Sequence, residues 1–141
     1  MELFDYAAAN PPANDQALTA LEQWLENADF PDISLPEEFL AFLRESNGGD
    51  FVKNGREFQM LSAEEIPEYY DAYNFARFMP YALPFAMDGN GNFYIFNKRE
   101  KDGRVYSVSA GNLGWDECEL ISNSFTDCLK FPPLHGEQKV L

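Results

Sequence analysis

The sequence predicts a single α+β domain, a meandering and mainly antiparallel sheet with helices packed against it. Three observations carry that prediction. A length of 141 residues suits one domain with a real core, and thirteen Phe, seven Tyr and two Trp supply the apolar matter to fill it. Apolar residues recur at helical spacing through much of the first half. From Tyr81 onward the texture changes to short β-like runs separated by turn residues, and strands joined by tight turns pair antiparallel.

Taken in order, residues 1–13 read as a loose N-terminal arm closed by Pro11-Pro12. Asn14 is placed to cap a helix running to about Asp29, with Leu18, Leu21, Leu25 and Ala28 on one face. The proline in DFPDI breaks it. A second helix is predicted over 35–47. Ser34 with Glu37 three residues on has the capping-box pattern, Pro36 falls in the first turn, and Phe39, Phe42 and Leu43 form an apolar stripe. Gly48 is suited to the left-handed stop. Asn54-Gly55, between runs near 51–53 and 56–61, is a strong hairpin signal. Ser62 and Glu65 repeat the capping pattern for a third helix, which Pro67 should kink early and which should end near Phe75.

Three strand-like runs follow, LPFAMD, NFYIFN and GRVYSVSA, and ECELIS forms a last one. Ser124 and Asp127 frame a short closing helix, SFTDCLKF. The predicted order is α-α-β-β-α-β-β-β-β-α. The domain then spans 14–131, with a C-terminal tail at 132–141.

The stretch DGNGN at 88–92 could be a cation loop or a corner between two strands. A calcium loop of the helix–loop–helix type needs Gly at its sixth position and a Glu at its twelfth. Counted from Asp88, those positions hold Phe93 and Arg99. The corner needs nothing more than Gly89 and Gly91 for positive φ, with Asn90-Gly91 as the favoured pair. We therefore expect a turn and no metal.

No nucleophile elbow, phosphate-binding loop or zinc-protease motif occurs. His135 is the one histidine and lies in the tail, so no Ser–His or Cys–His pairing can be named, and zinc lacks its four ligands. Cys118 and Cys128 read as reduced thiols. The expectation is a non-enzyme without a cofactor. The N-terminus has no secretory pattern and no window is apolar enough for a membrane span, so the expected place is the cytoplasm.

The formal charge is −14, and it is uneven: sixteen acids and three bases over 1–71 give −13, eight acids and seven bases over 72–141 give −1. Such a field repels phosphate backbones and speeds encounter with a basic protein. It also serves solubility alone. Glu64, Glu65, Glu68, Tyr69, Asp71 and Tyr73 cluster on the third helix, and Trp115 stands beside Asp116 and Glu117. Aromatics among acids suit a Lys- and Arg-bearing protein partner. Read blandly, the tyrosines are core and the acids a solvated face.

With these motifs laid out, the chain resembles the SUKH superfamily, which includes bacterial immunity proteins and a fungal regulator of cell-wall synthesis. The likeness covers roughly residues 15–131. It is carried by LPEEFLAFLRESNGG (Leu35, Pro36, Phe39, Phe42, Leu43, Asn47, Gly48, Gly49), FQMLSAEEI, and LPFAMDGNGNFYIFN (Asp88, Gly89, Gly91), with SFTDCLKF as the closing helix. Asn92 departs from the pattern, where members often carry Asp. The resemblance implies an SUKH-like α+β fold and a binding role. An immunity-type member would neutralise a cognate toxin, basic and in many cases a nuclease. The alternative it implies is an intracellular regulatory or scaffold module with no toxin partner.

Overall fold

A computed structural model describes residues 3–134. His135 and most of the predicted tail lie outside the described residues. The element order is β1 (Tyr6–Ala9), α1 (Asp15–Asn27), α2 (Glu37–Glu45), β2 (Gly49–Lys53), β3 (Arg56–Met60), α3 (Glu65–Ala72), α4 (Phe75–Phe78), β4 (Ala82–Met87), β5 (Asn92–Asn97), β6 (Val105–Ser109), β7 (Glu119–Ser122) and α5 (Phe125–Lys130). The seven strands lie side by side in sequence order, every neighbouring pair antiparallel. This is the meandering α+β domain that the sequence predicts.

The chain makes two excursions from the sheet. Between β1 and β2 it forms α1 and α2, and between β3 and β4 it forms α3 and α4. Phe39 of α2 and Phe125 of α5 pack on Phe85 and Phe96 on one face. On the other face, Tyr69, Tyr73 and Phe75 meet Phe93 edge-on. Alternation along β5 sends Phe93 and Tyr94 to opposite faces. Both faces of the central strands are therefore covered, which is why β4 and β5 read as nearly continuous apolar runs.

Local chemistry was realised at several ends. The Asn14 side chain accepts from Ala17 N, and Ser124 accepts from Asp127 N, capping α1 and α5. Asn54 and Gly55 take φ of 53° and 77°, the paired positive values of a tight hairpin turn. At 88–92 the corner forms on the two glycines expected to supply positive φ, while Asn90 of the expected Asn-Gly pair does not share it. Gly89 and Gly91 carry the positive φ, and Asp88 N donates to Asn92 O across the loop. The Asp88 carboxylate accepts from Asn90 N, Asn92 N and Asn92 Nδ2, so both its oxygens are spent on shaping the turn.

Four expectations need correction. The N-terminal arm is not loose: Tyr6–Ala9 is the edge strand β1, paired with β2 in register Tyr6↔Val52 to Ala9↔Gly49. Ser34 does not cap α2. Pro36 occupies the N-cap with no side-chain bond, while the Ser34 hydroxyl donates to Asp32 Oδ1 at 2.6 Å. Pro67 does not kink α3, because that helix starts at Glu65 and the proline falls in its first turn, where no intrahelical N–H is needed. The third helical region is also two helices, broken at Asn74, whose φ is 58°. At the C-terminal side, the predicted tail is anchored at its start: Pro133 is buried and Leu134 N donates to Ile121 O.

The SNGG segment shows why its residues are fixed. Ser46 Oγ accepts from Asn10 N and donates to Gly48 O, while Asn47 accepts from Ala63 N and donates to Glu64. A Cβ at Gly48 would lie 2.8 Å from both Met60 O and Ser62 N, and one at Gly49 would lie 2.5 Å from Ala8 O. These glycines let α2, β1 and β3 meet backbone to backbone.

Sequence reasoning missed one buried ion pair. Lys98, at the end of β5, donates to Asp32 Oδ2 at 2.7 Å and also to Ser34 O, with both ionic side chains 5% exposed. Burial alone would raise the Asp32 carboxyl, but the bonds from Lys98 and Ser34 together outweigh it and hold it below its ordinary value.

Candidate functional site

The predicted surface residues divide between α3 and the β6–β7 loop. At the start of α3, Glu65 accepts from Ser62 N at 2.9 Å and Ser62 Oγ accepts from Glu65 N at 3.1 Å. This reciprocal box ties down the chain before the helix, so Glu65 is occupied locally. Glu64 is exposed and accepts from Asn47 Nδ2 at 2.8 Å. Ile66 and Tyr70 point into the core, and the Tyr70 hydroxyl accepts from Tyr81 N. Burial pushes the Tyr70 phenol up.

Further along α3, Tyr69 and Tyr73 stack with ring centroids 5.9 Å apart. Burial, then the charge of Glu65, the neighbouring Tyr73 and the charge of Glu68 push the Tyr69 phenol up, so it stays protonated and neutral. Glu68 and Asp71 are exposed. Tyr73 is 37% exposed and Phe78 of α4 is 50% exposed. Together with Ala110, Gly111, Asn112 and Leu113 they line a surface hollow of about 220 Å³.

The loop that forms the far wall of this hollow carries the second predicted group. Trp115 Nε1 donates to Pro80 O at 2.9 Å, and the Arg99 guanidinium lies 3.6 Å from the Trp115 ring centroid. Tyr106 meets the same ring edge-on. Trp115 is thus a post that fastens the β6–β7 loop to the α4–β4 connection, with one ring face already covered by a cation. Glu117 accepts from Asn112 Nδ2 at 3.1 Å and stiffens the loop beside the hollow, while Asp116 is exposed. Cys118 Sγ donates to Trp115 O, and burial pushes its thiol up, away from reactivity.

The fold therefore brings Tyr73 and Asn112 to one hollow, with Glu117 bonded to Asn112 and Tyr69 stacked behind Tyr73. Glu64 and Glu65 stand at the opposite end of α3, about 12 Å away at the α-helical rise. Sequence reasoning missed Phe78 and Leu113. Phe78 lies three residues after the buried Phe75, a spacing that predicts a shared inward face. A helix of four residues is too short to hold both inward, and the second ring is left at the surface.

Chemically the hollow offers aromatic faces and edges, neighbouring carboxylates and no activated nucleophile. It suits contact with a partner's side chains. Among the described residues, no group of three or more His, Cys, Asp or Glu side chains is placed to hold a metal ion, and no helix is long and apolar enough to cross a membrane.

Comparison with curated proteins finds no match. The sequence profile of the SMI1 / KNR4 family (SUKH-1) matches residues 12–130, from the segment between β1 and α1 to the last residue of α5. The match takes in the SNGG junction, the Asp88 corner and both helical excursions, and on that ground the chain belongs to the SMI1/KNR4 family (SUKH-1).

Proposed function

We propose that the protein is an immunity-type binding protein that neutralises a cognate bacterial toxin by protein–protein contact in the cytoplasm. It works without catalysis or a cofactor. Family membership fits a protein-binding module of the immunity or regulatory kind. The observation that carries the finer reading is the charge: −14 overall, with −13 of it in residues 1–71. A toxin that handles nucleic acid presents a basic cleft, and an acidic protein is drawn to it while nucleic acid is repelled. The field sets the rate of encounter, and aromatic contacts at the hollow, with Glu68, Asp71 and Asp116 on neighbouring surface, set the lifetime of the complex.

The test is protection. Cells expressing the protein are challenged with a basic toxin encoded beside its gene, and the purified pair is assayed for complex formation and loss of toxin activity. Protection together with an association rate that falls steeply with salt supports the reading. A stable complex with a cellular protein, and no protection from any neighbouring toxin, overturns it in favour of a regulatory module.

A further inference from the structure

The two edges of the sheet are unlike. Along β7, the segment after α5 returns to the strand, with Pro133 buried and Leu134 N donating to Ile121 O. Along β1, no described residue pairs with the outer side. Strand β1 reads Tyr-Ala-Ala-Ala, every residue exposed, and Tyr6 is 58% exposed. Natural sheets protect their edges with charge, proline, bulges or cover. Within its four residues β1 has no charge and no proline.

The surroundings of this edge are acidic. Ala8 pairs with Asp50 and is therefore on the same face, and Asp50 is exposed one strand in. A strand laid outside β1 would sit about 5 Å from it and about 10 Å from β2. The small Ala8 side chain lets a long Lys or Arg on such a strand reach across to Asp50. On the other face, the residues leading into β1 shape a groove of about 300 Å³. Leu3, Phe4, Phe42 and Phe125 floor it, and Glu38 and Glu45 stand among its lining residues.

We infer that β1 and this groove take an extended segment of alternating basic and apolar residues from a protein partner, added as an eighth strand. Backbone hydrogen bonds supply the grip, Asp50 selects basic side chains on one face, and on the other face the groove beside Phe4 takes the apolar ones. The inference deepens the preceding reading, since it names how a basic partner is held.

The experiment uses the full chain and a fluorescein-labelled ten-residue peptide of alternating Lys and Val, followed by anisotropy and by amide chemical shifts. The expected result is saturable binding with shifts centred on residues 3–10, their β2 partners and the groove around Phe42 and Phe125, weakened about tenfold by Asp50→Lys. Ala7→Pro and Ala8→Pro form a matched pair. In one of them the lost N–H faces outward, and that variant should keep its Tm and lose the peptide. Shifts centred on α3, or binding undiminished in both proline variants, overturn strand addition. Neutralisation of a toxin that both proline variants still bind at full strength overturns strand addition alone. Peptide docking at β1 in a protein that protects from no toxin supports strand addition while the immunity reading fails.

Discussion

Replacing Lys98 with Met should cost far more than a surface ion pair. The ammonium sits 2.7 Å from Asp32 Oδ2 with both side chains 5% exposed, and it also donates to Ser34 O. In Lys98→Met the carboxylate keeps its bonds from Ser34 but loses its counter-charge inside the protein. Removing one partner of a buried pair costs about 3–5 kcal/mol. For a chain of this length the unfolding entropy is on the order of 0.3 kcal/mol per degree, so the variant should melt about 10–17 °C lower. Urea unfolding followed by tryptophan fluorescence measures the first quantity and calorimetry the second. The double variant Asp32→Leu/Lys98→Met removes both charges and should recover more than half of the loss. The pH dependence adds a sign. Asp32 is held below its ordinary value of 3.8, so its contribution is complete above that value and is lost as pH falls through it and then through the lower folded value. The gap between Lys98→Met and wild type should therefore narrow as pH falls into the acid range and lose the Asp32 contribution only below its lowered folded value. A loss under about 1 kcal/mol at neutral pH, the size of an exposed pair, would refute the argument.

The capping box and the glycines make further predictions. Ser62→Ala and Glu65→Ala should each cost about 1 kcal/mol in urea unfolding, and the pair should be less than additive because each residue serves the other. Gly48→Ala and Gly55→Ala both place a side chain at positive φ, at +85° and +77°. At Gly55 nothing lies within 4 Å of the new Cβ, so the cost should be the conformational one alone, about 1 kcal/mol. At Gly48 the Cβ meets two backbone atoms at 2.8 Å, and the loss should be at least twice as large. Equal midpoints for the two glycine variants would contradict the close approach of α2 to β3.

What was legible in the sequence was local. Asn14, Ser124 and the Asn54-Gly55 pair act on backbone within a few residues, so their chemistry is complete in the sequence itself. The helices α1, α2 and α5, the start of α3 and the meander from β2 onward followed from helical period and turn residues. The failures were non-local. Tyr-Ala-Ala-Ala has no strand alternation, and it is a strand because Val52, Phe51, Asp50 and Gly49 pair with it from forty or more residues away. The Ser34 and Glu37 pattern promised a capping box. It lost because Asp32, fixed by a lysine 66 residues on, takes the Ser34 hydroxyl instead. The hollow was half visible. Tyr73 and Glu117 were identifiable as aromatic and acid, while Phe78 was hidden by a spacing that predicts burial.

The acids of α3 were alike in sequence and are unlike in the structure, which makes a discriminating pair of variants. Glu64 and Glu65 bond to Asn47 and Ser62, whereas Glu68 and Asp71 are exposed and make no side-chain hydrogen bond among the described residues. Glu64→Lys/Glu65→Lys and Glu68→Lys/Asp71→Lys change the total charge equally. To the extent that long-range attraction drives encounter with a basic partner, both should slow association by a similar factor at low salt and lose that difference at high salt. Their other effects should separate. The first pair breaks the capping box and the Asn47 bond and should lower the melting temperature by several degrees, with dissociation unchanged. The second pair should leave stability within about 0.5 kcal/mol and speed dissociation severalfold, because it alters surface beside the Tyr73–Phe78 hollow. Surface plasmon resonance at two salt concentrations, with calorimetry on the same samples, reads all four quantities. Dissociation that responds to the Glu64/Glu65 pair and ignores the Glu68/Asp71 pair would move the contact to the N-terminal end of α3. Dissociation that ignores both would remove α3 from the interface and leave the field as its whole contribution.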